Sequence, residues 1–541
     1  MPSTVATTDV PWLTLLIVWP LVGALVLWLL PRGARAPGAT ADAEGTVAAG
    51  PRRYTRQIAL GVALVEVALG VGALLAFDTG AARVHQLSET HAWISQLGVS
   101  YAVGVDGVGL ALVLLSVVLV PVVILAAWRE QGSGALPTER LRHYLALVLV
   151  LTAFMVAVFA ARDVFLFYVL FEAMLIPVYF MIGAFGGPRR RYAAVKFLLF
   201  SLAGGLIMLA GVIALYLQGP GGPQGFLTDN LTGLDLPVGT ERWLFLAFFL
   251  AFAIKAPMFP VHTWLPDAAE QAPAGTSTLL VGVLDKVGTF GMLTLCLPLF
   301  PEASRWAAPV IIALAVVSIL YGALLAIGQQ DLFRLVAYTS VSHFGFIVLG
   351  IFAFTSTSVA GSSFYMVNHG LSTGALFLLV GFLAARRGSA RIEDFGGLQK
   401  VTPVLAGVFL VTGLSALSLP GLSTFVSEFL VLVGSFGTNR AAAVVATLGV
   451  VLAAVYVLWT YQRLFTGPVR GDLAGTRDIG GRERWVVGPL IAIMLVLGFY
   501  PAPALRLVDE PAAQTVEHVG GEPPAVEMPI AVDGDSEGSE Q

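Results

Sequence analysis

Glu172, Lys255, Lys286 and Glu428 each fall inside or at the edge of a long apolar run. An ionisable side chain at the centre of a bilayer costs upwards of about 2.5 kcal/mol, so such residues face a bundle interior and serve transport or pairing. Glu172 stands about eight residues into its run, roughly 12 Å along a helix and so near the midplane. Lys255 lies at comparable depth just before a proline-rich break, Lys286 follows Asp285 in the next run, and Glu428 comes eight residues after Pro420. His262, His343 and His369 add imidazoles, whose reference pKa is about 6.5. Carboxylate, amine, imidazole and carboxylate together suit proton transfer, because a buried lysine can bind and release a proton in turn as its neighbouring charges change. Structural ion pairs and packed histidines are the bland alternatives, and for Glu66 the bland reading is the preferred one. Lys196, at the start of its run, could instead snorkel to an interface. Asp331 and Arg334 read as a surface pair.

These residues need elements that span a membrane. Of 541 residues, 57% are hydrophobic and 12% charged, against roughly 25% charged in a soluble domain, and the mean hydropathy is +0.84. The chain is therefore an all-α, polytopic membrane protein. Apolar runs of about 20 residues predict fourteen spans, near 11–30, 57–77, 107–128, 143–161, 164–186, 192–217, 243–271, 276–300, 308–328, 332–354, 358–384, 405–438, 441–466 and 485–503. The connections after odd-numbered spans hold 21 Lys and Arg, whereas the even connections and termini hold six. By the positive-inside rule the odd loops are cytoplasmic and both termini lie outside.

Two spans are interrupted by proline. One contains Pro257, Pro260 and Pro266, the other Leu419-Pro420-Gly421, and each proline removes a backbone donor and clashes one turn back. Broken helices in corresponding positions of two halves mark an inverted repeat and an ion path. The expected organisation is an N-terminal unit 1–142 with spans 1–3, a first five-helix repeat 143–300, an inverted second repeat 301–466, a last helix within 467–506, and a disordered acidic tail 507–541. The single cysteine, Cys296, excludes a thiolate iron–sulfur cluster or a structural zinc site within this chain. No phosphate-binding loop or dinucleotide fingerprint is present, so nucleotide hydrolysis is unsupported, and Arg189, Arg190 and Arg191 read as topology determinants. No nucleic-acid partner is expected, and the lipid bilayer is the surrounding phase.

Six motifs then stand out: Tyr168-Val-Leu-Phe-Glu172-Ala-Met-Leu-Ile-Pro177, Gly186-Gly-Pro-Arg-Arg-Arg-Tyr-Ala-Ala-Val-Lys196-Phe, Lys255-Ala-Pro-Met-Phe-Pro-Val-His-Thr-Trp-Leu-Pro-Asp-Ala, Val283-Leu-Asp-Lys286-Val-Gly, Ala337-Tyr-Thr-Ser-Val-Ser-His343, and Leu419-Pro-Gly-Leu-Ser-Thr-Phe-Val-Ser-Glu428. In this order they resemble the antiporter-like membrane subunits of respiratory complex I, the bacterial proton-pumping NADH-quinone oxidoreductase, over spans 3 to 14. Glutamate at position 428, where sister subunits carry lysine, favours the subunit M branch. The resemblance implies that Glu172 and Lys255 are the family's paired carboxylate and lysine. It implies further that Lys286 is the central channel lysine and Glu428 the last group towards the outside. His262, His343, His369 and Lys196 fall on possible relay positions. Phe333 departs from the family, which has lysine before the arginine, and this weakens any role for that interfacial charge.

The function so implied is that of a translocase subunit in a bacterial inner membrane. It would couple NADH oxidation and quinone reduction on other subunits to proton transport. NADH, FMN, iron–sulfur clusters and quinone would then belong to partner subunits, with no cofactor and no metal on this chain. The nearest partners would be neighbouring antiporter-like subunits. Withdrawal of Glu172 from Lys255 would release a proton towards Lys286, and transfer through His343 and His369 would deliver it to Glu428. The competing readings are a subunit of a multi-subunit sodium/proton antiporter or of a membrane-bound hydrogenase, and a structural anchor with inert buried charges.

Overall fold

A computed structural model describes residues 10–30, 54–128 and 138–520. The arginine-bearing stretches 31–53 and 129–137, and the acidic tail beyond residue 520, lie outside the described residues. The helices are α1 (Trp12–Leu29), α2 (Thr55–Ala76), α3 (Gly107–Ala127), α4 (Thr138–Ala160), α5 (Val164–Ala173), α6 (Leu175–Phe185), α7 (Arg190–Gln218), α8 (Val238–Lys255) and α9 (Trp264–Gln271). They continue with α10 (Ala274–Leu299), α11 (Pro301–Ile327), α12 (Leu332–Phe352), α13 (Ser356–Arg387), α14 (Pro403–Ala416), α15 (Ser423–Thr438), α16 (Arg440–Phe465), α17 (Gly481–Phe499) and α18 (Ala502–His518). Among the described residues, eleven helices or nearly continuous helix pairs are long and apolar enough to cross a membrane, or twelve if the bent pair α17 and α18 counts as one span.

Both proline interruptions are present. The helix stops at Lys255 and resumes at Trp264, and again stops at Ala416 and resumes at Ser423. The predicted span 164–186 carries a further discontinuity at Met174, between α5 and α6. Pro177 has no N–H to bond the carbonyl four residues back, at Ala173, so the helix bends just after Glu172. Within α10, two π-helical segments, Leu280–Leu284 and Met292–Cys296, flank Lys286; such bulges widen the helix and recur at functional positions.

The core is central. α10, α12 and α13 are buried along almost their whole length. α1, α2, α7 and α16 turn apolar side chains outward, with Leu75 81% and Leu217 71% exposed, as suits surfaces that meet lipid rather than water.

Two features depart from the expected organisation. An antiparallel hairpin, β1 (Gln86–Ile94) with β2 (Val99–Val105), lies between α2 and α3. It is tied to the bundle by Asp163, which accepts from Ser100 N at 2.9 Å while capping α5 through Phe165 N and Leu166 N. The second is α18. Residues 507–518, expected as the start of a disordered tail, are helical and bury Leu507, Val508, Pro511, Ala512 and Val516. Residues 508, 512 and 516 recur one turn apart, which gives the segment an apolar stripe to pack.

Candidate functional site

The first cluster lies where α5, α7 and α8 meet. Glu172 ends the last turn of α5 before the bend, and its carboxylate fills a notch in α7. A Cβ at Gly205 would stand 1.7 Å from Glu172 Oε1, so only glycine leaves room. Lys255, fully buried at the end of α8, has no hydrogen-bond partner on Nζ, and Oε1 of Glu172 has none either. The ammonium lies 5.2 Å from the centre of the Phe171 ring and 5.7 Å from that of Phe197, where the ring faces offer it partial compensation. The two charges act on each other, but the pair is open, with no direct bond to Lys255. Ser201, one turn before Gly205 on α7, is also buried with an unpartnered Oγ.

The second cluster begins on α10. Lys286 Nζ donates to Val281 O at 2.5 Å, across the widened turn, and contacts His369 Nδ1 at 2.7 Å. With lysine as donor, Nδ1 is the acceptor and the His369 proton sits on Nε2. The ring of His369 meets that of His343 at 5.2 Å between centroids, nearly perpendicular. His343 Nε2 lies 3.2 Å from Tyr456 OH, and its ring is 6.0 Å from that of Tyr365. Tyr365 OH donates to Glu428 Oε2 at 2.7 Å, and Ser418 Oγ donates to the same oxygen at 2.6 Å.

Local structure explains this convergence. Tyr365 and His369 are one turn apart on α13 and so share a face. Ser418 sits in the α14–α15 break with φ +61°, an uncommon conformation for a residue with a side chain, and there its hydroxyl reaches the carboxylate ten residues on. Lys286, His369, His343 and, through Tyr365, Glu428 thus form one row through the buried middle of the bundle, and the open pair of Glu172 and Lys255 stands before it with no hydrogen bond to it. Asp285 lies beside Lys286, fully buried, with neither oxygen bonded.

Two of the predicted candidates lie off this row. His262, in the α8–α9 break, is buried against Phe259, Tyr321 and Tyr338 with Nδ1 unpartnered. Lys196 is ion-paired with Asp267 of α9 at 2.6 Å. The expected surface pair of Asp331 and Arg334 is corrected. Arg334 Nη1 bonds Asp267 at 2.6 Å and Glu270 at 3.0 Å, while Asp331 caps α12 by accepting from the backbone N of Arg334 at 3.1 Å. α9 holds two of the acids that these cations need, and Arg189 also pairs with Glu270, at 2.6 Å. Sequence reasoning missed Tyr365, Tyr456 and Ser418. Tyrosine and serine carry no charge that makes them stand out in an apolar run, and their partners are set by helix rotation.

Among the described residues, no three His, Cys, Asp or Glu side chains come together in a way that could hold a metal ion, and Cys296 is buried.

Residues 161–453, more than half of the chain, match the family described as NADH:quinone oxidoreductase/Mrp antiporter, transmembrane. NADH-quinone oxidoreductase subunit M of Mycobacterium tuberculosis is 44% identical over 550 aligned positions, covering 96% of each chain. A chain of respiratory complex I from Thermus thermophilus superposes with a TM-score of 0.82 at 31% identity, over 94% of this chain and 100% of that one. A chain of the Mrp complex from a Dietzia species superposes with a TM-score of 0.80 at 21% identity, over 94% and 99%, which speaks for the shared fold alone. On its own family match and its full-length similarity to subunit M, this chain belongs to the antiporter-like membrane subunits of NADH-quinone oxidoreductase.

Proposed function

We propose that the chain is a proton-translocating membrane subunit of NADH-quinone oxidoreductase, and that protons travel from Lys255 along the row to Glu428. The observation that carries this reading is the unbroken series of contacts from Lys286 to Glu428. Every step of it is a hydrogen bond or a ring contact, and the pair that stands before it, Glu172 and Lys255, is open. An open pair can close, and closing would stabilise the charge on Lys255, whereas opening frees its proton to move on. NADH oxidation and quinone reduction would take place on partner subunits of the complex, with their flavin, clusters and quinone.

Two finer readings accompany it. The chain crosses a bacterial inner membrane fourteen times with both termini outside, which the excess of basic residues in odd connections supports. Units 143–300 and 301–466 are inverted repeats. In support, Asp163 caps the second helix of the first unit and bridges Leu227, and Asp331 caps the second helix of the second unit and bridges Arg391. The breaks at 256–263 and 417–422 fall in the fourth helix of each unit.

The test is NADH-driven quinone reduction and proton pumping in membranes carrying Glu172→Gln at a normal level of assembled complex. The expected result is a loss of about tenfold or more, equal to roughly 1.4 kcal/mol or more in barrier height. Unchanged pumping in both Glu172→Gln and Lys255→Ala would overturn the reading. Sodium-dependent proton exchange in its place would favour the antiporter alternative, which shares the fold.

A further inference from the structure

α10 shows different faces to the two halves of the bundle. On one face, Gly288 is pressed against the end of α8: a Cβ there would stand 2.5 Å from Phe252 O and 2.7 Å from Ala256 N, and one at Gly291 would strike the Phe252 ring. Asp285 is one turn before Gly288 on the same face, so it points towards the turn that carries Lys255. On the other face, Gly282 abuts the backbone of Gly370, and Lys286 reaches His369 at 2.7 Å. Consecutive residues of a helix point about 100° apart, so Asp285 and Lys286 turn towards different neighbours while remaining adjacent. The π segment Leu280–Leu284 ends at this point, with Asp285 N bonded to Leu280 O at 3.0 Å. Asp285 has no exposed surface, neither carboxylate oxygen has a hydrogen-bond partner, and its charge acts on both Lys255 and Lys286.

We propose that Asp285 is the group through which a proton crosses α10, from Lys255 on its one side to Lys286, which faces His369 of the second half. The inference rests on the relay reading above. The ammonium of Lys255 gives a proton to the Asp285 carboxylate: an N–H bond breaks, an O–H bond forms, and a neutral amine and a neutral acid remain. The acid then gives the proton to the neutral amine of Lys286, which has already passed its own to His369 Nδ1, and the carboxylate is restored. A bare carboxylate buried among apolar side chains is costly. In this sequence Asp285 is never bare, because whenever it is ionised one of the two lysines beside it is an ammonium. Two lysines alone lack this property, since both would repel the shared proton's charge with nothing between them to offset it.

The experiment uses Asp285→Asn and Asp285→Glu in the assembled complex in membranes, with Glu172→Gln in parallel. It measures NADH-driven pumping and the infrared difference between resting and turning-over enzyme. The expected results are a loss of about tenfold or more in Asp285→Asn, an intermediate rate in Asp285→Glu, and a protonated-carboxyl band in the unmodified enzyme that shifts in the Glu variant. Pumping within about twofold of unmodified in Asp285→Asn, or a carboxyl band unchanged by Asp285→Glu, would overturn the proposal. If Glu172→Gln loses pumping while Asp285→Asn keeps it, Asp285 alone is excluded. If neither loses it, the relay reading fails as well. Should Asp285→Asn not assemble, the band in the unmodified enzyme and in Asp285→Glu decides the matter, because a merely structural carboxylate changes no protonation during turnover.

Discussion

In the first half of the bundle, Asp163 caps α5 and bridges Leu227, and a broken helix ends in Lys255. In the second, Asp331 caps α12 and bridges Arg391, and a broken helix leads to Glu428. The backbone plan is shared, yet the charges are held in opposite ways. Lys255 sits among aromatic rings, with its Nζ and Glu172 Oε1 unpartnered. Glu428 receives two hydrogen bonds, and the residues before it contact one another in series. A buried charge without a partner is high in energy and responsive to whatever approaches it, whereas a bonded one is held in place. The difference teaches that the first half is suited to being switched and the second to conducting.

The sharpest way to break this comparison is to move the switch without touching a charge. Gly205→Ala puts a methyl group where Glu172 Oε1 now lies and must push the carboxylate out of its notch. NADH-driven pumping should fall about tenfold, approaching the effect of losing the carboxylate itself. Retention of full pumping, with the subunit present at its normal level, would mean that the position of Glu172 does not matter. The second half should respond more gently. Tyr365→Phe removes one hydrogen bond to a carboxylate, a contact of about 1.5–3 kcal/mol, but leaves Ser418 bonded to the same oxygen. A loss of several-fold is expected, again read as proton pumping at equal assembly, and Ser418→Ala should cost less than Tyr365→Phe. Equal or larger losses than in Gly205→Ala would invert the assignment of switch and conductor.

How much of this could be read beforehand depends on what each feature rests on. The spans and both interruptions follow from local chemistry: runs of apolar residues must cross, and Pro257, Pro260 and Pro420 must break them. The buried acids and lysines were visible because charge in an apolar run has no bland explanation near at hand. The contacts among them were not. Whether Tyr365 meets Glu428, or Asp285 faces α8, is decided by the rotation and crossing of helices far apart in sequence. The hairpin was hidden because Gln86–Ile94 mixes polar and apolar residues without strict alternation. α18 was hidden because Asp509, Glu510 and Pro511 resemble the acidic tail that follows, although Val508, Ala512 and Val516 already marked a helical stripe. Arg334 was assigned to its neighbour in sequence, Asp331, when its partners lie on the half-helix α9.

The two aspartate caps offer the smallest effect and a test of the frame rather than of the relay. Both lie outside the spanning segments, and burial pushes both carboxyls above the usual range. Backbone bonds from Ser100, Leu166 and Phe165 oppose that rise for Asp163. For Asp331 burial is the largest cause and the nearby charge of Glu270 adds to the rise, against the backbone bonds from Arg334 and Phe333 and the Arg334 charge, so its carboxyl reaches about 6. In an unfolded chain the same group titrates near about 3.9. Between these values the folded protein binds more protons than the unfolded one, so Asp331 makes stability fall as pH rises through about 4 to 6, and the deficit is complete above that window. Asparagine caps a helix about as well as aspartate and carries no charge to bury. Asp331→Asn should therefore leave resistance of the subunit to heat and protease unchanged at pH 4 and raise it slightly at pH 7.5, measured in intact membranes. Asp163→Asn should lower it at both, because its amide nitrogen would face Ser100 N, a donor against a donor. Opposite signs at neutral pH would show that the shared caps do different work in the two halves, and equal losses would show that Asp331 is held as firmly as Asp163.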